Sequence, residues 1–319
     1  MAHPFTRALR YAVHDWTREM PPATRAVALA GMFIQGYAIW AGISRSLIWP
    51  VMWPTGPVLF VFVVVIYFAG YLVQNAALAS EFIRKTQLES EQTAAAQIQR
   101  TLQPEKIDTP RGYAIETYYK PLRAVGGDYF DAIELPGART LFAIADVSGK
   151  GMPAALLAAN IQALVRSLAT VDADLAALAS RINQHLCRHS PGNRFATAVF
   201  AVLDHASGAI VYVNAGHNPP ILSSGGSSVM LDSTGIALGW FENAAYEVQT
   251  HTMAPGSALL LYTDGLPDAL SDPDPERRLC AALTASPTLA SITALVDPRF
   301  NEDDVTLLLV SRHAAQGRS

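Results

Sequence analysis

Four aspartates in this sequence stand in Gly-rich or acidic turns where apolar runs begin or end. They are Asp128 in Val125-Gly-Gly-Asp-Tyr-Phe-Asp131, Asp146 in Ala145-Asp-Val-Ser-Gly-Lys-Gly151, Asp264 in Leu261-Tyr-Thr-Asp-Gly265, and Asp303 in Asn301-Glu-Asp-Asp-Val-Thr306. Asp146 and Asp264 end their runs; Asp128 and Asp303 precede theirs. In an antiparallel sheet the end of one strand lies beside the start of its neighbour, so the four carboxylates can meet at one edge of a sheet. Like charge gathered in that way calls for a cation, and all-oxygen ligands suit Mg²⁺ or Mn²⁺ better than zinc. The chemistry expected of such a cluster is two-metal hydrolysis, in which paired cations lower the pKa of a shared water.

The elements that must position these residues follow Pro104. Short strands are predicted over Phe195 to Leu203, Ala209 to Asn214, Tyr246 to Thr252, Ala258 to Tyr262 and Val305 to Val310, besides the runs flanking Asp128 and Asp146. Helices are predicted from Met152 to Leu168, with Pro153 in the tolerant first turn, from Ala173 to Arg188, and near Thr288 to Val296. Strands joined by short turns predict an antiparallel α+β arrangement with helices outside.

The 319 residues carry a formal net charge of -4, which gives no global attraction to nucleic acid. Two cysteines, Cys187 and Cys280, are too few for a disulfide framework and lie in no nucleophile motif. The mean hydropathy of +0.20 is high, and its excess lies near the N-terminus. Ala26 to Ile43 and Val58 to Val73 are uncharged apolar runs, each extensible to about 20 residues, the length of a membrane-spanning helix. Trp40, Trp49 and Trp53 fall near their ends or in the connection. Arg7, Arg10, Arg18 and Arg25 precede the first run, Arg84 and Lys85 follow the second, and only Arg45 lies between. The positive-inside rule then predicts a two-pass inner-membrane protein with both termini and the catalytic domain in the cytoplasm.

The chain is thus divided into a cytoplasmic segment (1–25), a two-helix transmembrane hairpin (26–79), a helical connector (80–103), the catalytic domain (104–313) and a tail (314–319). In the connector, Leu88, Ala95 and Leu102 are seven apart with Ile98 between them. That seam fits a parallel two-helix contact, hence a homodimer, or equally an amphipathic helix packed on its own domain.

Taken in order, Leu102-Gln-Pro104, Val125-Gly-Gly-Asp-Tyr-Phe-Asp131, Asp146-Val-Ser-Gly-Lys-Gly151, Asn214-Ala-Gly-His-Asn-Pro-Pro220, Gly235-Ile-Ala-Leu-Gly239, Tyr262-Thr-Asp-Gly265 and Asp303-Asp-Val-Thr306 closely resemble the SpoIIE/RsbU branch of the PPM-type serine/threonine phosphatases. The resemblance runs from about Ile98 to Arg312. It implies an αββα sandwich, two antiparallel sheets flanked by helices, with two Mn²⁺ or Mg²⁺ ions at one edge. Carried over motif by motif, Asp146 bridges the ions, the Val147 carbonyl ligates one, Asp128 holds a metal or its waters, and Asp264 and Asp303 complete the other site. Asp304 is the rival of Asp303. The implied reaction is in-line attack of a metal-bridging hydroxide on phosphoserine or phosphothreonine. The implied substrate is a phosphorylated STAS-domain anti-anti-sigma factor in a partner-switching pathway.

Other residues have competing readings. Lys150 is either a phosphate-attracting residue or a solvated turn lysine; His217 is either a leaving-group acid or, preferably, a structural residue of a hairpin turn. Asp131 and Asp232 read as turn residues. Asp268 stands where the family usually has glutamate. Two rival functions are a catalytically silent relay that binds a partner through the same fold, and a hydrolase of small phosphate esters; the intact acidic set disfavours the first, and no extra basic or aromatic cluster supports the second.

Overall fold

The computed structural model describes residues 56–314, apart from 105–106, 170–173, 191–193, 298 and 301–302, and scattered residues between 31 and 42; for 56–60, 63, 72 and 73 only the backbone is described. The chain divides into two units, Met1–Leu88 and Glu89–Ser319. In the first, the described backbone is helical; a 47-residue helix, α1 (Gly56–Leu102), begins there and ends in the second. Along α1 the side chains of Val61, Phe62, Val65, Ile66 and Phe68 are exposed. Among the described residues no helix is long and apolar enough to cross a membrane. Most of the first expected span, the N-terminal arginines, Arg45, Trp49 and Trp53 lie outside the described residues.

The second unit is a four-layer αββα arrangement. One sheet has the order β1 (Tyr113–Lys120), β10 (Val305–Arg312), β9 (Ala258–Tyr262), β6 (Ile221–Ser224), β7 (Ser227–Met230); the other has β2 (Asp128–Leu135), β3 (Arg139–Val147), β4 (Ala196–Asp204), β5 (Ala209–Ala215), β8 (Gln249–Thr252). Every ladder between these ten strands is antiparallel. Period-two alternation sorts the apolar side chains between two faces. Phe130, Phe142, Ile144, Val199 and Tyr212 from one sheet meet Leu259, Leu261, Leu308 and Val310 from the other. Tyr129, Ala143, Ala145 and Phe200 turn outward under α2 (Met152–Leu168) and α3 (Leu175–His189). On the opposite flank, Leu260, Tyr262, Leu307 and Leu309 pack under α4 (Gly265–Asp268), α5 (Pro275–Ala285) and α6 (Leu289–Thr293).

Both long helices of the first flank start as their sequences dictate. Pro153 sits in the first turn of α2, and the Asp174 side chain caps α3 by accepting from the Ala176 N–H at 2.9 Å. The expectation missed β1, the β6–β7 hairpin and α5. The hairpin turns on Gly225 and Gly226, with φ of 59° and 81°, a pair of left-handed residues that a two-residue turn of this kind requires. Strand β8 is shorter than expected, and Tyr246 lies in the core before it.

Asp131 requires a correction. It lies within β2, not in a turn, and is fully buried. Its carboxylate takes two hydrogen bonds from the Arg166 guanidinium of α2, at 2.7 and 2.9 Å, and a third from the Tyr129 hydroxyl at 3.2 Å. The pair ties helix to sheet beneath the strand that carries Asp128. Arg166→Ala leaves a buried carboxylate without its cation, so chemical denaturation should show a loss of about 3 kcal/mol. A loss below about 1 kcal/mol would mean that water replaces the guanidinium.

Candidate metal centre

The four aspartates come together from two sheets, not from one sheet edge. Asp128 opens β2 and Asp146 is the last residue but one of β3, and the two are directly opposite in the antiparallel register. Asp264 follows β9 and Asp303 precedes β10, which pair in the facing sheet. The sheets are joined at this end through Asp128. Its Oδ2 accepts from the hydroxyls of Thr263 and Thr306, at 2.9 and 2.5 Å, both belonging to the opposite sheet's turn and strand. Backbone approach needs glycine here. A Cβ on Gly127 would lie 3.1 Å from the Val147 carbonyl oxygen, and one on Gly265 would collide with the Asp304 carbonyl oxygen.

Electrostatics express the crowding. Burial, then the charges of Asp264, Asp303 and Asp304, push the Asp146 carboxyl up to about 7, against the lowering effect of its hydrogen bond with Asp128. Burial and the charge of Asp146 hold Asp128 well above the usual carboxylate range. Burial, then Asp303 and Asp268, raise Asp264 as well. The Val147 carbonyl stands at the same strand end.

Asp303 and Asp304 have different surroundings. The carboxylate of Asp304 accepts the Leu122 N–H at 2.7 Å and the Gly127 N–H at 2.8 Å, clamping the β1–β2 loop. Asp303 is partly exposed, accepts the Asp304 N–H at 2.9 Å and pairs with Lys150 Nζ at 2.7 Å. Lys150 is therefore an ion-pair partner of the acidic cluster. Among the described residues no three His, Cys, Asp or Glu side chains stand at the spacing of one ion's ligands. In kind, however, the donors fit hard divalent cations: all are oxygens, and the carboxylates raise one another's proton affinity as groups awaiting a shared cation do.

His217 is buried away from solvent. Its Nδ1 lies 2.7 Å from the Thr197 hydroxyl, and the Asn214 side chain both accepts its N–H at 2.8 Å and donates to its carbonyl at 3.1 Å. Burial lowers its pKa to about 4, so the ring is neutral and supports the turn. Sequence reasoning passed over Thr263, Thr306 and Gln99, although the two threonines stand inside quoted motifs. Gln99, on the last turn of α1, gave no signal beyond its nearness to Leu102-Gln-Pro104.

Comparison with known proteins agrees with this geometry. The family described as Stage II sporulation protein E (SpoIIE) matches residues 136–313, more than half of the chain. Protein IcfG of Synechocystis sp. is 29% identical over 261 residues, covering 68% of this chain and 40% of that protein. Phosphoserine phosphatase RsbP of Bacillus subtilis is 28% identical over 161 residues, covering 48% of this chain and 40% of that protein. This chain thus spans 40% of the length of each of these two curated relatives. The crystal structure of the RsbU and RsbW domains of Rv1364c from Mycobacterium tuberculosis superposes with a TM-score of 0.57 at 28% identity, covering 66% of this chain and 64% of that one. Two facing antiparallel sheets, an aspartate at each of four strand ends and the matched motifs lead to one assignment: the chain belongs to the SpoIIE family, in the SpoIIE/RsbU branch of the PPM-type phosphatases.

Proposed function

We propose that this chain is a membrane-anchored, Mn²⁺- or Mg²⁺-dependent protein-serine/threonine phosphatase of a partner-switching pathway, acting on a phosphorylated STAS-type anti-anti-sigma factor. The observation that carries the reading is the convergence of Asp146 with the charges of Asp264, Asp303 and Asp304 at the end of two facing sheets. Asp128, Asp146, the Val147 carbonyl, Asp264 and Asp303 would hold two ions. When bound, such ions supply an activated water and offset charge on phosphoryl oxygens.

The chain's own residues do the rest. The Thr263 and Thr306 hydroxyls hold the buried Asp128 carboxylate in one orientation, beside Asp146, with which it shares a hydrogen bond. Asp304 keeps the Gly127 backbone drawn in by accepting its N–H, which leaves Asp303 as the outward carboxylate of the pair. Lys150, beside Asp303, puts a positive charge at the mouth of the cluster, where a phosphoryl group would arrive. His217, buried and neutral, is bonded into its own turn by Asn214 and to Thr197.

Anchoring rests on the two apolar runs and on the exposed Val61, Phe62, Val65, Ile66 and Phe68 of α1, side chains that water solvates poorly and lipid readily. Extraction of the full chain by carbonate, without detergent, would refute the anchor.

The direct test is phosphate release from a phosphoserine STAS protein by the full chain in detergent micelles, with Mn²⁺ and with EDTA. Release that needs Mn²⁺ supports the reading. A folded, Mn²⁺-binding chain that releases no phosphate from phosphoprotein would favour a silent relay. Turnover of a chromogenic phosphate ester alone would favour a small-ester hydrolase.

A further inference from the structure

Gln99 lies on the last turn of α1, three residues before that helix ends at Leu102. Its side-chain amide grips one distant residue, Gly126, through both its backbone N–H and its carbonyl. Nε2 donates to the Gly126 carbonyl at 2.7 Å, and Oε1 accepts the Gly126 N–H at 3.1 Å. The contact spans 27 residues of sequence, and Gly126 is followed by Gly127 and Asp128. Gly126 is hemmed on its other side, since a Cβ there would stand 2.5 Å from Asp304 Oδ2 and 2.5 Å from the Tyr119 hydroxyl. The neighbouring Gly127 N–H donates to that same Asp304 oxygen at 2.8 Å.

A helix terminus ordinarily leaves its side chains to solvent, and a glutamine loses much rotamer freedom when both ends of its amide are fixed. Here the two bonds act on a Gly-Gly segment, the most pliable backbone available, immediately before an acidic residue. From this juxtaposition we infer that Gln99 is a positioning residue: it locks the Gly126–Gly127 turn so that Gly127 reaches Asp304 and Asp128 enters the centre opposite Asp146. Gln162 of α2 fastens the same helix end by donating to the Leu102 carbonyl, so the grip has a fixed base. The effect on metal affinity rests on the metal-centre reading above; the effect on the turn does not.

The test compares the full chain with Gln99→Ala and Gln99→Met, the second keeping the length of the side chain and losing its amide. Hydrogen exchange of peptides spanning residues 122–130 reads the turn directly. The Gly127 N–H, which donates to Asp304 and makes no hydrogen bond to Gln99, should exchange at least tenfold faster in both variants, with little change in peptides from β3 and β4. Free Mn²⁺ measured by electron paramagnetic resonance should show affinity about tenfold weaker, the usual cost of losing a residue that orients metal ligands. Turnover at saturating Mn²⁺ should recover most of its native value. Native exchange at Gly127 in both variants would overturn the inference. So would a Gln99→Met protein indistinguishable from native, since packing alone would then account for the contact. If the native chain itself binds no Mn²⁺, the metal-centre reading fails, and exchange at Gly127 still decides the role of Gln99.

Discussion

Asp146→Asn is expected to lower Mn²⁺-dependent release of phosphate from a phosphoserine protein by about a thousandfold or more, while the protein stays folded. That factor corresponds to about 4 kcal/mol of transition-state stabilisation, within the range of losing a principal electrostatic group at a reacting centre. Asparagine has nearly the same shape and can keep a hydrogen bond with Asp128, so β2 and β3 should remain paired as they are around these two residues. Removing the most crowded charge should also stabilise the metal-free protein, because Asp146 is pressed by Asp264, Asp303 and Asp304. The pairing of these two outcomes matters. A variant that lost activity by unfolding would lose stability too, whereas a ligand variant loses activity and gains stability without metal. Activity within tenfold of native would remove Asp146 from the centre.

The second large effect is a pH-dependent stabilisation by metal. In the folded chain Asp146 titrates near 7, and Asp128, Asp264 and Asp304 are also raised, burial being the first cause for each. Unfolded carboxylates titrate near 4. At these carboxylates the folded metal-free chain therefore binds more protons than the unfolded one between about pH 4 and 7, and their contribution to stability falls as pH rises through that window. The stabilising contribution is complete below the unfolded pKa and gone above the folded one. A divalent cation competes with those protons, so Mn²⁺ should raise the thermal midpoint most at pH 8 and least at pH 5. At a hundredfold excess over Kd the gain is about 2.7 kcal/mol, or about 5–10 °C for a domain of this size. Scanning calorimetry with Mn²⁺ and with EDTA at the two pH values measures it. An equal gain at both would mean that the raised carboxylates do not bind the ion.

Much of the catalytic unit was legible in the sequence because its signals are local. Apolar runs of strand length ending at Asp146 and Asp264 were read within a residue or two of β3 and β9. The span of α3 and the Pro153 start of α2 were legible in the same way, though the Asp174 cap of α3 was not read. β1 was missed because Tyr-Ala-Ile-Glu-Thr-Tyr-Tyr-Lys is only half buried along most of its length and shows no clean alternation. Tyr246 was placed in a strand because an aromatic beside Val248 has strand character; instead its ring fills the core ahead of β8.

The acidic residues divide along the same line. Sequence alone determined that four aspartates lie at strand ends, that their donors are all oxygen, and that the ordered motifs are those of the SpoIIE family. Only the tertiary structure decided which sheet each belongs to and what each carboxylate is already holding. Asp304 is spoken for by the amide of Leu122, 182 residues away, and Asp131 by a helix 35 residues on. Gln99 reaches Gly126 across 27 residues with no pattern to betray it. Periodicity and turn chemistry belong to a few consecutive residues, so a sequence displays them. The hydrogen bonds of a buried carboxylate or amide belong to whichever loops the packed sheets bring beside it, and that is settled only when the two sheets close on each other.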